Sequence, residues 1–195
     1  MDFRLATSDD VEEIARILTL AFLDDPVWGP ALARPDGVSD HLDPFWRIYA
    51  EGSLRHGGAY VTDGATALWT PPGETELSDT QEAELMDLLH DTFAGDDLDA
   101  LLELYDRFDA AHPHDVPHAY LGLLATHPNS RGHGIAQQLL AENLRGWDAR
   151  GIPAYLESTN PANDHRYQRA GFRSVGSISA VLSDARITTM WREPR

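Results

Sequence analysis

The chain has 195 residues, of which 42% are hydrophobic, and a formal net charge of −17 at pH 7. This length and apolar content suffice for a sizeable core, so we expect one α/β domain spanning residues 1–195. The absence of cysteine excludes disulfides, thiolate metal sites and cysteine nucleophiles. No apolar run approaches the roughly 18 residues that a membrane span needs, and the first residues lack a signal-peptide pattern. The sequence therefore predicts no membrane partner and a cytoplasmic location.

All 15 basic residues are arginine, which excludes a Schiff-base lysine and the lysine of a Walker loop. Charge is divided unevenly along the chain. Residues 1–118 hold 26 acidic residues against 6 arginines, whereas residues 119–195 hold 6 against 9. Nucleic acid is therefore not an expected partner, and the second segment suits an anionic ligand better than the first. The 12 acids between residues 74 and 106, where no arginine occurs, are expected to form a solvated helical face.

Hydrophobic periodicity and turn residues divide the chain into alternating strands and helices. Asp63-Gly64 is a strong hairpin turn, Pro26 ends the first helix, and Gly151 caps a late one. The predicted order is a mixed sheet with helices packed on it. In chain order, strands are expected at 3–6, 59–62, 65–70, 119–126, 154–157, 174–182 and 187–191, and helices at 11–21, 45–54, 85–93, 98–108, 135–147 and 162–170, with a loop or broken helix at 26–44.

The segment Leu121–Ala136 carries the clearest chemical signal. An apolar strand leads through Pro128 into a turn that contains two glycines, and a helix follows. Glycines let the backbone approach an anion closely, and the free N–H groups of a helix start point toward it. The segment predicts a diphosphate cradle that needs neither lysine nor metal. A Rossmann loop is an alternative, with Glu157 placed for a ribose, although Gln137 stands where its third glycine belongs.

Two ordered motifs in this half of the chain resemble those of the GNAT acyltransferases. Arg131-Gly132-His133-Gly134-Ile135-Ala136 matches the motif Gln/Arg-x-x-Gly-x-Gly/Ala, and Thr126-His127-Pro128 precedes it as in that family. Downstream, Tyr167-Gln168-Arg169-Ala170-Gly171-Phe172 resembles the signature Tyr-x-x-x-Gly-Phe. The resemblance implies a mixed central sheet flanked by helices and splayed between its fourth and fifth strands, with 119–126 and 154–158 parallel. It also implies an N-acetyltransferase that uses acetyl-CoA.

Further similarity extends to the puromycin-type N-acetyltransferases, which would make the chain an antibiotic-resistance enzyme. The similarity is patchy over 27–57 and 74–115, which would build the acceptor pocket. Together with the acidic first segment, it implies a small cationic amine as acceptor. It rests on Arg4-Leu5-Ala6-Thr7, Asp9-Asp10-Val11, Ala21-Phe22 with Pro26, Leu68-Trp69-Thr70 and Pro153-Ala154-Tyr155-Leu156-Glu157.

The family resemblance also implies where acetyl-CoA would bind. Pantetheine would pair with a strand, Asn160 would hydrogen-bond to it with Asn163 as a rival, and Tyr167 would lie beside the thioester. As general acid, Tyr167 would protonate the leaving thiolate, because a phenol remains protonated at neutral pH. The remaining cofactor-binding positions are Leu124, Ala125 and Thr126 on the strand, and Arg131, Gly132, His133, Gly134, Ile135 and Ala136 in the loop.

The general base has two candidates. Glu157 stands at a strand end, where its carboxylate could accept a proton through water, and His118 begins the long strand and could titrate near neutral pH. His112, His114 and His118 have no helix-face spacing, so no metal site is expected.

Three functions stay open at this level. The leading interpretation is a direct-transfer amine acetyltransferase. A non-catalytic acyl-CoA-binding module and a protein N-terminal acetylase are the alternatives. The sequence does not define the acceptor amine or the acyl length, and it leaves a homodimer open.

Overall fold

The computed structural model describes residues 3–195 and contains seven strands and seven helices within that range. The strands are β1 (Arg4–Leu5), β2 (Ala59–Thr62), β3 (Ala65–Thr70), β4 (Ala119–Thr126), β5 (Ala154–Ser158), β6 (Arg173–Ser179) and β7 (Arg186–Arg192). The helices are α1 (Val11–Phe22), α2 (Trp28–Ala31), α3 (Leu42–Leu54), α4 (Asp79–Thr92), α5 (Asp96–Ala111), α6 (Ile135–Asp148) and α7 (Asp164–Ala170).

All seven strands form one sheet in the order β1-β2-β3-β4-β5-β7-β6. Neighbouring strands are antiparallel except for β4 and β5, which are parallel. The helix α6 connects these two strands, as the crossover rule requires. The prediction of a mixed sheet with residues 119–126 and 154–158 adjacent and parallel is confirmed.

Local sequence explains most element boundaries. Gly64 adopts φ +78° in the tight turn between β2 and β3, a conformation that favours glycine. The Asp25 carboxylate accepts the backbone N–H groups of Val27 and Trp28 at 2.9 and 3.0 Å, and α2 follows inside the predicted broken helix. The helix α3 begins at Leu42, earlier than predicted, because Pro44 lies in its first turn, where proline needs no hydrogen bond.

Two hydrophobic cores lie on opposite faces of the sheet. The larger core packs α1, α3, α4 and α5 on one face and includes the fully buried Phe45 and Trp46. The second core packs α6 on the other face, where Trp69 and Trp147 lie with ring centroids 5.7 Å apart. The Trp69 indole donates to the buried Asn143 side chain at 3.0 Å, which satisfies its polar N–H.

A bulge in β4 changes which residues face each core. Leu68 is opposite Leu123, but Trp69 is opposite Leu121, so Gly122 is an extra residue in β4. Leu121 packs in the α6 core, and Leu123 packs in the α1–α3 core. A regular strand would place both residues on one face. The bulge therefore shifts the alternation of side chains by one residue, so that the residues after Gly122 face the opposite core from the one that regular alternation would give.

Candidate active site

The strands β4 and β5 separate soon after they begin. Within residues 3–195 they pair only through Ala119 with Ala154 and Tyr120 with Tyr155. Beyond this point β4 continues against β3, while its other edge no longer pairs with β5. The predicted pantetheine positions lie in this open half of β4. They are Leu124, Ala125 and Thr126.

The glycine loop connects β4 to α6 as predicted. Gly132 and Gly134 have φ of +85° and +71°, and a Cβ at Gly132 would meet nothing within 4 Å. The first N–H groups of α6 lack partners within the helix, as at any helix start. The exposed Arg131 guanidinium donates to the Ala21 carbonyl of α1 at 3.3 Å.

This loop fits an anionic diphosphate. Gly134 is the cap residue before α6, and Ile135 and Ala136 form the first turn, so their N–H groups and the helix dipole face the loop. The His133 ring lies 3.4 Å from the Ser130 carbonyl and is exposed. Open space and unpaired donors make the loop suitable for the phosphates of acetyl-CoA.

Tyr167 lies on α7, half-buried beside the second core. Its ring is 6.2 Å from that of Phe172 and nearly perpendicular to it. Burial raises the pKa of Tyr167 to about 12, and the negative charge of Asp25 adds to the shift. Asp25 accepts the hydroxyl of Thr159 at 2.9 Å. The phenol is therefore fully protonated at neutral pH.

Asn160 and Asn163 flank the short turn before α7. The Asn160 side-chain oxygen accepts the N–H of Ala162 at 3.0 Å, and its backbone carbonyl accepts the N–H of Asn163 at 2.8 Å. Asn160 thus stabilises the turn with its oxygen, which leaves its amide N–H groups for a ligand. Asn163 is half-buried and precedes the first residue of α7.

A cavity of about 80 Å³ opens beside the separation of β4 and β5. Aromatic rings from α2, α3, α5 and β4 form its wall, and two glutamates, Glu76 and Glu157, line it together with Thr159. The aromatic lining residues are Trp28, Trp46, Tyr49, Tyr105, Phe108 and Tyr120.

Glu76 reaches this cavity from the loop between β3 and α4. A Cβ on Gly122 would lie 2.3 Å from its Oε1 atom, so the bulge glycine leaves room for the carboxylate. Burial raises the pKa of Glu76 to about 7, and the charge of Glu157 adds to the shift. Burial and both carboxylates also raise the pKa of Tyr120 well above its usual value.

Glu157 points into the cavity from β5, and its side chain is only 3% exposed. The His112 Nδ1 atom lies 3.8 Å from its Oε1 atom. His118 lies outside the cavity lining, where its Nε2 atom is 3.2 Å from that of His112. Of the two predicted bases, only Glu157 faces the cavity, and His118 is connected to Glu157 through His112.

The three histidines do cluster, with His112 ring centroids 5.6 Å from His114 and 4.9 Å from His118. Across residues 3–195, however, no group of three or more histidine, aspartate or glutamate side chains is placed to hold a metal ion. In that same range, no helix is long and apolar enough to cross a membrane.

Sequence reasoning missed Glu76, His112 as a partner of Glu157, and the aromatic wall. The acidic stretch 74–106 was predicted to be a solvated face, which is wrong for Glu76, since its carboxylate lines the cavity. The Pro71-Pro72-Gly73 turn directs this residue back over the sheet, and the sequence offers no signal for that return. His112 was noticed only as part of a metal pattern.

Comparison with known proteins supports the family resemblance. Residues 100–174 match the family model described as an acetyltransferase (GNAT) domain. The acetyltransferase Atu2258 of Agrobacterium fabrum is 38% identical over 77 residues, which cover 39% of this chain and 55% of that protein. The chain thus spans about half the length of this curated relative. Similarity to the puromycin-type enzymes in particular is not among these findings.

Solved structures share the fold over nearly the whole chain. One is described as histone acetyltransferase HPA2 and related acetyltransferase from Corynebacterium glutamicum, with a TM-score of 0.68, 24% identity, and coverage of 99% of this chain and 96% of that one. Arylalkylamine N-acetyltransferase 2 from Aedes aegypti has a TM-score of 0.70, 15% identity, and coverage of 100% and 99%. The chain therefore has the GNAT fold, with the predicted separation of the fourth and fifth strands.

Proposed function

We propose that this chain is an acetyl-CoA-dependent N-acetyltransferase that acts on a small cationic amine. The observation that carries the proposal is the cavity holding Glu76 and Glu157 beside the separation of β4 and β5. The glycine loop that would bind the diphosphate follows the same strand. A donor with phosphates and an acceptor with a positive charge would therefore meet at one point of the sheet.

The donor site is built from backbone groups. The loop from Arg131 to Ala136 would hold the diphosphate, and the free edge of β4 at Leu124–Thr126 would pair with pantetheine. Asn160, just after β5, would donate its amide N–H to the pantetheine. When bound, acetyl-CoA supplies a thioester whose acetyl carbon bonds to the amine nitrogen as its bond to sulfur breaks.

The protein would supply three kinds of assistance to this transfer. Backbone N–H groups at the free edge of β4 would stabilise negative charge on the carbonyl oxygen. Glu157 would take the proton that the amine loses. Tyr167 would donate its hydroxyl proton to the leaving sulfur, and its raised pKa keeps the phenol protonated at neutral pH until the thiolate forms.

The acceptor cavity favours a positively charged group. Two carboxylates in a half-buried, aromatic setting stabilise an ammonium ion, and rings such as Trp28 and Tyr120 offer cation–π contacts. A puromycin-type aminonucleoside or an arylalkylamine, the substrate class named for the Aedes aegypti structure, could place its amine there.

An acceptor panel tests the proposal. Purified protein is incubated with acetyl-CoA and an alkylamine, an arylalkylamine, a polyamine, puromycin, a short peptide or glutamate, and free thiol release is measured. We expect turnover with one or more cationic small amines. Preference for the peptide would favour the N-terminal acetylase, and acetyl-CoA binding without turnover would favour a non-catalytic module. Either result would contradict the proposed function.

A further inference from the structure

The side chain of Glu157 has almost no direct contact with solvent. Its side chain is 3% exposed, yet as a base it must release a proton after every turnover. The side chain next to it is His112, whose Nδ1 atom is 3.8 Å from the Glu157 Oε1 atom. The His112 side chain is 26% exposed. Of these two side chains, His112 is the one in contact with both the buried carboxylate and water.

The hydrogen bonds of His118 determine the tautomer of His112. The His118 Nδ1 atom is 2.7 Å from the Val116 carbonyl, which can only accept, so His118 carries its proton on Nδ1. Burial lowers the pKa of His118, so its ring is neutral and its Nε2 lone pair accepts a hydrogen bond. The donor must be the His112 Nε2–H, 3.2 Å away.

This arrangement leaves the unprotonated nitrogen of His112 facing Glu157. With its proton on Nε2, His112 has its lone pair on Nδ1, the ring nitrogen that lies 3.8 Å from the Glu157 Oε1 atom. His112 is also the cap residue directly after α5, and its backbone N–H donates to the Phe108 carbonyl at 3.0 Å.

We propose that Glu157, His112 and His118 form a proton relay, in which His112 carries the acceptor's proton from Glu157 to solvent and His118 holds its tautomer. The relay rests on the proposed function. The amine nitrogen loses a proton to Glu157 Oε1, and Glu157 passes it to His112 Nδ1 through one bridging water, since these two atoms are 3.8 Å apart. His112 then releases the proton from the same Nδ1 atom to water, which restores its Nε2–H tautomer. Each transfer moves one proton between lone pairs, so every group returns to its starting state.

Several titratable side chains surround His112. The titratable groups that face it are Glu157 and Tyr155 from β5, Tyr120 from β4, His118 before β4, and His114 in its own loop. Burial raises the pKa of both tyrosines above the usual value, so they remain neutral. Across the cavity, Glu76 faces Glu157 and competes for the same proton.

Kinetics of His112→Gln test the relay. Glutamine can still donate a hydrogen bond to His118 but cannot carry a proton. We expect kcat to fall at least about tenfold at neutral pH, with KM for acetyl-CoA and amine within about twofold, and partial recovery of kcat with added imidazole. His114→Gln is the matched control, because His114 is exposed and bonds the Asp109 carbonyl of the same region; its kcat should equal that of the wild type.

A second measurement needs no turnover. The ¹⁵N chemical shifts of the imidazole nitrogens in the free protein should show His118 protonated on Nδ1 and neutral His112 protonated on Nε2.

Kinetics of His118→Gln test the role of His118. This substitution should lower kcat and shift the pH profile of turnover, because His118 no longer holds the tautomer of His112.

Each outcome is decisive. The relay is overturned by the opposite tautomers, by unchanged kcat in His112→Gln, or by a loss that imidazole does not restore. If the wild type turns over no amine at all, the proposed function fails and the relay falls with it. Turnover in the wild type with any of the first three results removes the relay alone.

Discussion

Tyr167 illustrates how a single side chain depends on neighbours that are distant in sequence. Asp25, from the segment after α1, places its charge near the phenol and also bonds Thr159, which lines the acceptor cavity. The Asp25–Thr159 contact thus connects the proposed acid with the acceptor side. The same carboxylate holds the first N–H groups before α2, so its position is fixed.

Tyr167→Phe removes only the hydroxyl. We expect kcat to fall by about 100-fold or more, since acid catalysis contributes on that order, whereas the Kd for CoA should change little. Thiol release and calorimetric CoA binding measure the two effects. The neighbouring Phe172→Leu, which disturbs the packing and spares the hydroxyl, is the control. A loss of less than about threefold in Tyr167→Phe would mean that the tyrosine only packs.

Glu76 should make folding stability depend on pH. The native protein holds its proton up to a pKa of about 7, against an ordinary value of 4.5, so the folded state binds more protons between these values. Stability should therefore fall as pH rises from about 4.5 to 7 and then level off. Glu76→Gln removes this loss, so we expect the variant to gain on the order of 1–3 kcal/mol over the wild type between pH 4.5 and 8.

Urea unfolding at several pH values measures this effect. The exposed Glu84 on α4 provides the matched control, because Glu84→Gln changes the same charge in water. A difference between Glu76→Gln and the wild type that does not grow with pH would show that the Glu76 carboxyl is solvated.

At the scale of elements, the junction of β4, the glycine loop and α6 combines three features. The Gly122 bulge turns β4, the strand separates from β5, and the glycine loop then leads from Thr126 to the start of α6 at Ile135. Each feature leaves backbone groups without a partner in the sheet or in the helix. Their combination makes this junction the natural place for a donor that binds through main-chain hydrogen bonds.

Gly134→Asp tests this junction. The substitution places a negative side chain at the start of α6, and we expect it to weaken CoA binding at least about tenfold through repulsion of the diphosphate. Because Gly134 has φ +71°, Gly134→Asn serves as the control for backbone strain without charge. Gly146→Asp, on the exposed side of the same helix, controls for added charge. The shift of Tm with CoA concentration reports binding. Equal shifts in all three variants would show that the diphosphate does not bind here.

At the scale of the molecule, the acidic and the basic segments of the sequence lie beside different parts of the candidate site. The acidic first segment includes α4 and α5, and α5 contributes Tyr105 and Phe108 to the acceptor cavity. The more basic second segment contains the glycine loop and α7. The two substrates would thus approach over surfaces of suitable sign.

Salt should weaken this attraction. We expect kcat/KM for the best cationic acceptor to fall as ionic strength rises to the physiological range, where charges are screened beyond about 8 Å, while a neutral amine analogue changes little. The neutral analogue serves as the control in the same assay. Preference for an anionic amine such as glutamate, or equal salt dependence for both acceptors, would contradict electrostatic attraction of the acceptor by the acidic segment.

The sequence by itself determined the order of elements, the parallel pair around α6, and the glycine loop, because each depends on residues close together in the chain. Periodicity, turn glycines and the helix start are local properties. Glu157 and Tyr167 could likewise be proposed from motifs. The tertiary structure alone decided that Gly122 forms a bulge, that Glu76 turns back against it, and that His112 joins Glu157 to His118. These contacts join β3–α4, α5 and β5 across the sheet, and their distances depend on packing that no local pattern encodes.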